Sequence, residues 1–255
     1  MDKKGIVISI ISGFFFIAAF IILSMLLSKD TDGCSNPAST VNTAKEELSA
    51  TDCSDTEIDM DDIYLNELVS GTDNGRIYPN PEECVNVVWE EKDIIAYYGN
   101  HLVPPYIPSG LQESPQNGTQ EAVFSNTGEI WEDTVWLNFF HDYYDDGSPK
   151  LTEDISAVKG FYLNASKIGL LTNYCITGTA NEIKASNIGK TSVFIGYQSM
   201  EYGPYDSDTH KPSGYYDMYV FQFALNGIEY ELVFSQIELE EAVKVVSSII
   251  YGKNM

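Results

Sequence analysis

Basic residues are scarce in this chain, with 14 Lys+Arg against 38 Asp+Glu and a formal charge of -24. Such a surface repels phosphate backbones, and no basic stripe offsets the repulsion, so nucleic acid is excluded as a partner. Anionic lipid surfaces are disfavoured on the same ground. Histidine is scarcer still. His101, His141 and His210 stand far apart and fit no HExxH pattern, so they read as isolated surface or turn residues and zinc is unsupported. No GxSxG elbow occurs either. The four cysteines, Cys34, Cys53, Cys84 and Cys175, lack CxxC spacing and allow three pairings. Of these, Cys84 with Cys175 is the bridge expected inside the folded part. The sequence therefore names no catalytic, cofactor-binding or metal-binding residue.

Three short motifs imitate known sites. Gly189-Lys190-Thr191 resembles the end of a phosphate-binding loop, but Lys184 stands where that loop needs its first glycine, so a turn before a strand is expected. Asp142, Asp146, Gly147 and Glu153 occupy positions 1, 5, 6 and 12 of a calcium-loop pattern. Tyr144 at position 3 and Pro149 in the usual aliphatic place break it, and a polar turn over Asp145 to Pro149 is expected instead. Pro105-x-x-Pro108 matches a polyproline ligand but is read as a rigid loop entering a sheet.

What the chain does have is one long greasy run. Gly5 to Leu27 carries no charged side chain, and at about 1.5 Å of helical rise per residue it crosses a bilayer core. Lys3 and Lys4 precede it and a large acidic segment follows, which orients residues 1–4 to the cytoplasm and the remainder outside. The run is longer than the apolar stretch of a cleavable signal and exits into Ser28, Lys29 and Asp30, so an uncleaved anchor is expected. Lipidation at Cys34 is a weaker reading, because that cysteine lies well beyond the run.

Residues 28–57 are rich in Ser, Thr, Asp and Asn and too poor in aliphatic side chains to offset chain ordering. They read as part of an acidic stalk over 28–75. A short helix is expected in Ile58 to Val69 and a break at Gly71 to Gly75. The extracytoplasmic domain is then expected over 76–255. Its clearest element is a β-hairpin at Asn226-Gly227, which sets Leu225 opposite Ile228, Phe223 opposite Tyr230, Phe221 opposite Leu232 and Tyr219 opposite Phe234 on one face. Ser235 with Glu238 suggests a capping box before a final helix carrying Leu239, Ala242, Val243, Val246, Ile249 and Ile250 on its inner face. Further strands are expected at Glu121 to Ser125, Glu129 to His141, Val158 to Ile168, Tyr174 to Gly178 and Thr191 to Ser199, and a helical turn or two at Lys92 to Tyr98. The expected class is α+β, a curved antiparallel sheet with the C-terminal helix packed on one face.

Tyr97-Tyr98-Gly99, Pro105-Tyr106-Ile107-Pro108, Ala165-Ser166-Lys167-Ile168-Gly169, Asn187-Ile188-Gly189 with Ile195-Gly196, and the aromatic hairpin together resemble an uncharacterised extracytoplasmic domain of membrane-tethered Gram-positive bacterial proteins. The resemblance spans most of residues 85–251. Those proteins are distantly similar to anti-sigma regulators and lipoprotein carriers, whose curved sheet and helix sense or hold a partner. Anti-sigma proteins grip their sigma factor with a cytoplasmic domain, which residues 1–4 do not supply. The resemblance therefore implies signalling through another membrane protein.

Three functions follow as expectations. The first is a non-enzymatic sensor or regulatory module that binds a membrane protein or an extracytoplasmic peptide or protein. The second is a carrier of a lipid or other apolar ligand between sheet and helix. The third is a cell-surface hydrolase using carboxylates.

Overall fold

The turn at Asn226-Gly227 organises the larger sheet. Both residues have positive φ, 53° and 75°, as a type I′ turn requires, and asparagine and glycine are the residues that take such angles most readily. In the computed structural model, which describes residues 58, 60–73, 80–152, 157–170, 172–177 and 183–253, this turn joins strands β11 (Gly214–Leu225) and β12 (Ile228–Ser235). Their register is Leu225 to Ile228, Phe223 to Tyr230, Phe221 to Leu232 and Tyr219 to Phe234, as the alternation demands.

On the other side of β12 runs β7 (Gly160–Ser166), antiparallel, and beyond it β6 (Val135–Phe140). Phe139, Phe161 and Phe234 lie side by side across these three strands, with ring centroids 4.6 and 5.0 Å apart and all three rings fully buried. The C-terminal helix belongs to the same core. That helix, Leu239–Tyr251, contributes Ala242, Val243, Val245 and Val246. Its buried Ser247 and Ser248 donate to the helix's own Val243 and Val245 carbonyls, so their hydroxyls enter the core with partners. It is designated α2. The expected cap is not made, because Ser235 ends β12 and donates to the Val158 carbonyl, while Glu238 stands at the N-cap with no side-chain cap bond.

The sheet extends through β10 (Thr191–Tyr202), β1 (Asn66–Asp73) and β8 (Thr172–Thr177), with β9 (Ser186–Ile188) also on β10 and β3 (Gln112–Glu113) on β6. Two expectations fail at β1. Ile58 to Val69 is not a helix: a single 3-10 turn at Met60–Asp62 leads into the strand. Asn66 and Leu68 are buried while Glu67 between them is exposed, a period of two that a short polar segment conceals. Nor is the sheet wholly antiparallel, since β1 runs parallel to β10 and antiparallel to β8. The compact unit spans Ile58–Met255, so folded structure begins ahead of the boundary expected at residue 76. Gly196 lets Leu68 and Ile176 pack closely at this junction, because a Cβ there would stand 2.8 Å from Leu68 Cδ1 and 3.0 Å from Ile176 Cγ1 and push those side chains aside.

A second sheet holds β2 (Cys84–Glu90), β4 (Thr119–Ser125) and β5 (Ile130–Glu132), and neither sheet is closed. The strand expected over Glu129 to His141 is two strands in different sheets, divided at Asp133-Thr134. Helix α1 (Glu91–Tyr98) follows β2 directly, with the Asp93 carboxylate accepting from the Glu90 N–H and Gly99 closing it in the left-handed conformation.

Among the described residues no helix is long and apolar enough to cross a membrane. Residues 5–27, read as the span, and 28–57, read as stalk, lie outside the described residues, as do Cys34, Cys53 and Glu153. Cys84 and Cys175 stand in separate sheets and are not bonded to each other, which corrects the expected bridge.

Truncating Phe234 removes its ring contacts with Phe161 and with Phe221, whose centroids lie 5.0 and 5.4 Å away. Phe234→Ala is expected to cost about 3–5 kcal/mol in chemical denaturation, and a loss under about 1 kcal/mol would show that the core is not organised around it.

Candidate functional site

Three carboxylates are buried among the described residues, Glu132, Asp133 and Glu231, and the last two gather donors from several elements. Glu231 on β12 is 2 % exposed and lies on the face opposite α2. Its Oε2 accepts from the Tyr174 N–H at 2.7 Å and from Gln222 Nε2 at 2.8 Å, and Oε1 accepts from Asn164 Nδ2 at 3.3 Å. Gln222 also donates to the Tyr174 carbonyl at 2.7 Å. These bonds bring β8 back across β12, although three strands separate the two in the sheet order. Burial pushes the Glu231 carboxyl upward, against the pull of its three donors. Asn164 Oδ1, fully buried, has no hydrogen-bond partner among the described residues. Tyr162 and a half-exposed Trp136 cover this side, with ring centroids 6.1 Å apart.

Asp133 is the second. It is 1 % exposed, at the crossing from β5 to β6. The Ser166 hydroxyl donates to Oδ1, while Tyr97 OH at 3.0 Å and the Lys167 N–H at 2.8 Å donate to Oδ2. Tyr98 OH lies 2.7 Å from the Asp133 carbonyl and 3.0 Å from that of Ala165. Lys167 Nζ reaches the Tyr97 carbonyl at 2.6 Å and sits over the Tyr97 ring. Burial and the neighbouring carboxylate hold both tyrosine hydroxyls well above their ordinary range. A serine, a tyrosine and an aspartate in contact can look catalytic. Here the donors saturate the carboxylate, and the cluster ties helix α1 and the end of β7 to the sheet crossing.

This cluster unites the Tyr97-Tyr98 and Ser166-Lys167 pairs from distant parts of the chain. Sequence reasoning did not single out Asp133. Its one signal was a carboxylate inside the aromatic run IWEDTVW.

The imitative motifs resolve into turns. Gly189-Lys190 joins β9 to β10, with Gly189 at φ 61°. Asp142 binds Lys150 Nζ at 2.7 Å, and Asp146 accepts from the Ser148 N–H and hydroxyl at 2.9 and 2.6 Å. Both aspartates are held below the usual carboxylate range by those bonds. The Pro105-to-Pro108 loop straps α2, where Tyr106 N–H donates to Ser248 Oγ and its hydroxyl to Glu241. His101, His141 and His210 are all exposed, the first 3.5 Å from Glu91 and the last in a turn.

The third feature is an open strand edge. β2 pairs with β4 in unbroken register and, among the described residues, with no strand on its other side. Val85 and Val88 are 51 % and 56 % exposed. The Asn126 N–H donates to the Glu83 carbonyl, so the alternation of an antiparallel ladder turns the amides of Asn86 and Val88 outward.

The chain matches no family model, no curated protein and no solved structure.

Glu231 supplies a test by pH. Its folded-state proton affinity exceeds that of the unfolded chain, so its contribution is fully present below the ordinary glutamate range and is lost as pH rises through the raised value. Glu231→Gln is expected to gain on the wild type in denaturant unfolding between about pH 4.5 and pH 7.5, helped by rotation of the Asn164 amide. A constant difference across that range would sink this assignment. Glu231→Leu, which strands three donors, is expected to cost about 1–3 kcal/mol for each.

Proposed function

We propose that this chain is a membrane-anchored extracytoplasmic binding module, non-enzymatic, which docks a partner at the open edge of β2 and acts through another membrane protein. The observation that carries this reading is the β2 edge itself, seven residues long with valines exposed toward both faces. Edge strands of soluble proteins are usually blunted by lysine, proline, a bulge or a cover, and Cys84–Glu90 contains neither lysine nor proline and no break in register. Anchoring and orientation rest on the apolar run at Gly5 to Leu27 and the lysines before it. The resemblance to an uncharacterised extracytoplasmic domain of membrane-tethered Gram-positive proteins, distantly similar to anti-sigma regulators and lipoprotein carriers, supports the same placement.

The other two readings draw less support. A carrier needs room between sheet and helix, and Phe161, Phe221, Phe234, Val245 and Val246 fill that layer with no exposed surface. A carboxylate hydrolase needs an acid and a base open to substrate, whereas Asp133 and Glu231 are buried and saturated with donors.

A photoreactive amino acid at position 88 of the full chain, activated in intact cells, is expected to yield an adduct with one membrane protein. The same group at exposed Tyr215 serves as the control. Adducts equal at both positions, or absent from both, would remove the proposal.

A further inference from the structure

We infer that the partner presents an extended, basic segment that adds to the open edge of β2 as a fourth strand of the smaller sheet. This rests on the reading of β2 as the docking edge and assigns the chemistry of its occupant.

Backbone geometry sets the first requirement. The outward amides of Asn86 and Val88 are separated by the repeat that an added antiparallel or parallel strand must match, so an extended segment satisfies them through its own main chain. Side chains set the second. Val85 and Val87 project to the face of Trp89, Ala122 and Phe124, where apolar residues at every second position of the partner find neighbours. Charge sets the third. Exposed Glu82, Glu83, Glu90, Glu91 and Glu121 surround the edge, and the nearby Lys92 is already bound to Glu90 at 2.7 Å. Basic residues at the partner's remaining positions meet these carboxylates.

The same charge disfavours the other occupants. A second copy would bring the identical carboxylates and a net -24 against itself. The chain's own residues 28–57 carry seven Asp and Glu against two Lys, and would repel the edge in the same way. A basic strand alone satisfies backbone, apolar and electrostatic demands together.

Fluorescence anisotropy on the purified full chain in detergent can test this with peptides of about seven residues that alternate lysine and valine, or glutamate and valine, long enough to span β2. The lysine peptide is expected to bind at least about tenfold tighter than the glutamate peptide and to weaken as salt rises. Val88→Pro, which removes an outward amide and spares the ladder to β4, is expected to abolish binding with the circular dichroism spectrum unchanged. Glu121→Lys is expected to weaken it several-fold. Should Val88→Pro misfold, the lysine peptide N-methylated on every amide gives the same answer, because neither of its edges can then donate to β2.

Equal binding of the two peptides, indifference to both Val88→Pro and N-methylation, or a β2-dependent dimer in sedimentation would overturn the inference. An adduct from position 88 with a membrane protein, combined with no binding of the lysine peptide, would overturn the partner chemistry and leave the docking edge standing. Absence of both would take the docking edge as well.

Discussion

The ring of Phe161, held between Phe139 on one strand and Phe234 on another, is the contact on which the larger sheet depends. Backbone pairing alone would permit β7 to slide between its neighbours, but a slip of one residue would turn Phe161 out of the core and Tyr162 into it. The fully buried stack removes that freedom. With β6, β7 and β12 in fixed register, α2 has one apolar surface to cover, and its buried valines and alanine meet it. The second face inherits its pattern from the same register, which is how Asn164, Glu231 and Gln222 come to share one row across β7, β12 and β11.

Two kinds of information in the sequence read correctly, and both are local. The Asn226-Gly227 turn specifies its own geometry, so alternating side chains on either side give the register without knowledge of the rest. Gly99 and Gly252 close helices whose apolar faces recur at helical spacing. What escaped detection depends on residues far apart in the chain. β1 looks like a fragment of stalk because its strand character arises from pairing with β10 and β8, strands far along the chain. β2 has no period-two signature, because its side chains are exposed on both faces. The division of Glu129 to His141 follows from a change of sheet at Asp133, whose one local sign is a carboxylate amid the aromatic run.

The candidate sites show the same contrast. The phosphate-loop and calcium-loop imitations carry residues that break each pattern, the polyproline match reads as a rigid loop, and the described parts of all three segments are turns or a strap. Sequence reading could not find Asp133, whose partners come from α1, β7 and the residues after it. Nor could it find Glu231, since a glutamate opposite a glutamine in a hairpin ordinarily faces water. That face is covered because β8 returns over it, a consequence of sheet order that no single segment encodes.

The crossing at Asp133 has a mechanical consequence. β5 ends at Glu132 and β6 begins at Val135, so the shortest of the links between the two sheets is two residues long, one of them pinned by Ser166, Tyr97 and Lys167. Tension on β2 would travel through β4 and β5 into that anchor, and from there to the strand that bears Phe161. Along that route a tug at the rim meets a buried, hydrogen-bonded aspartate before it meets the phenylalanine stack.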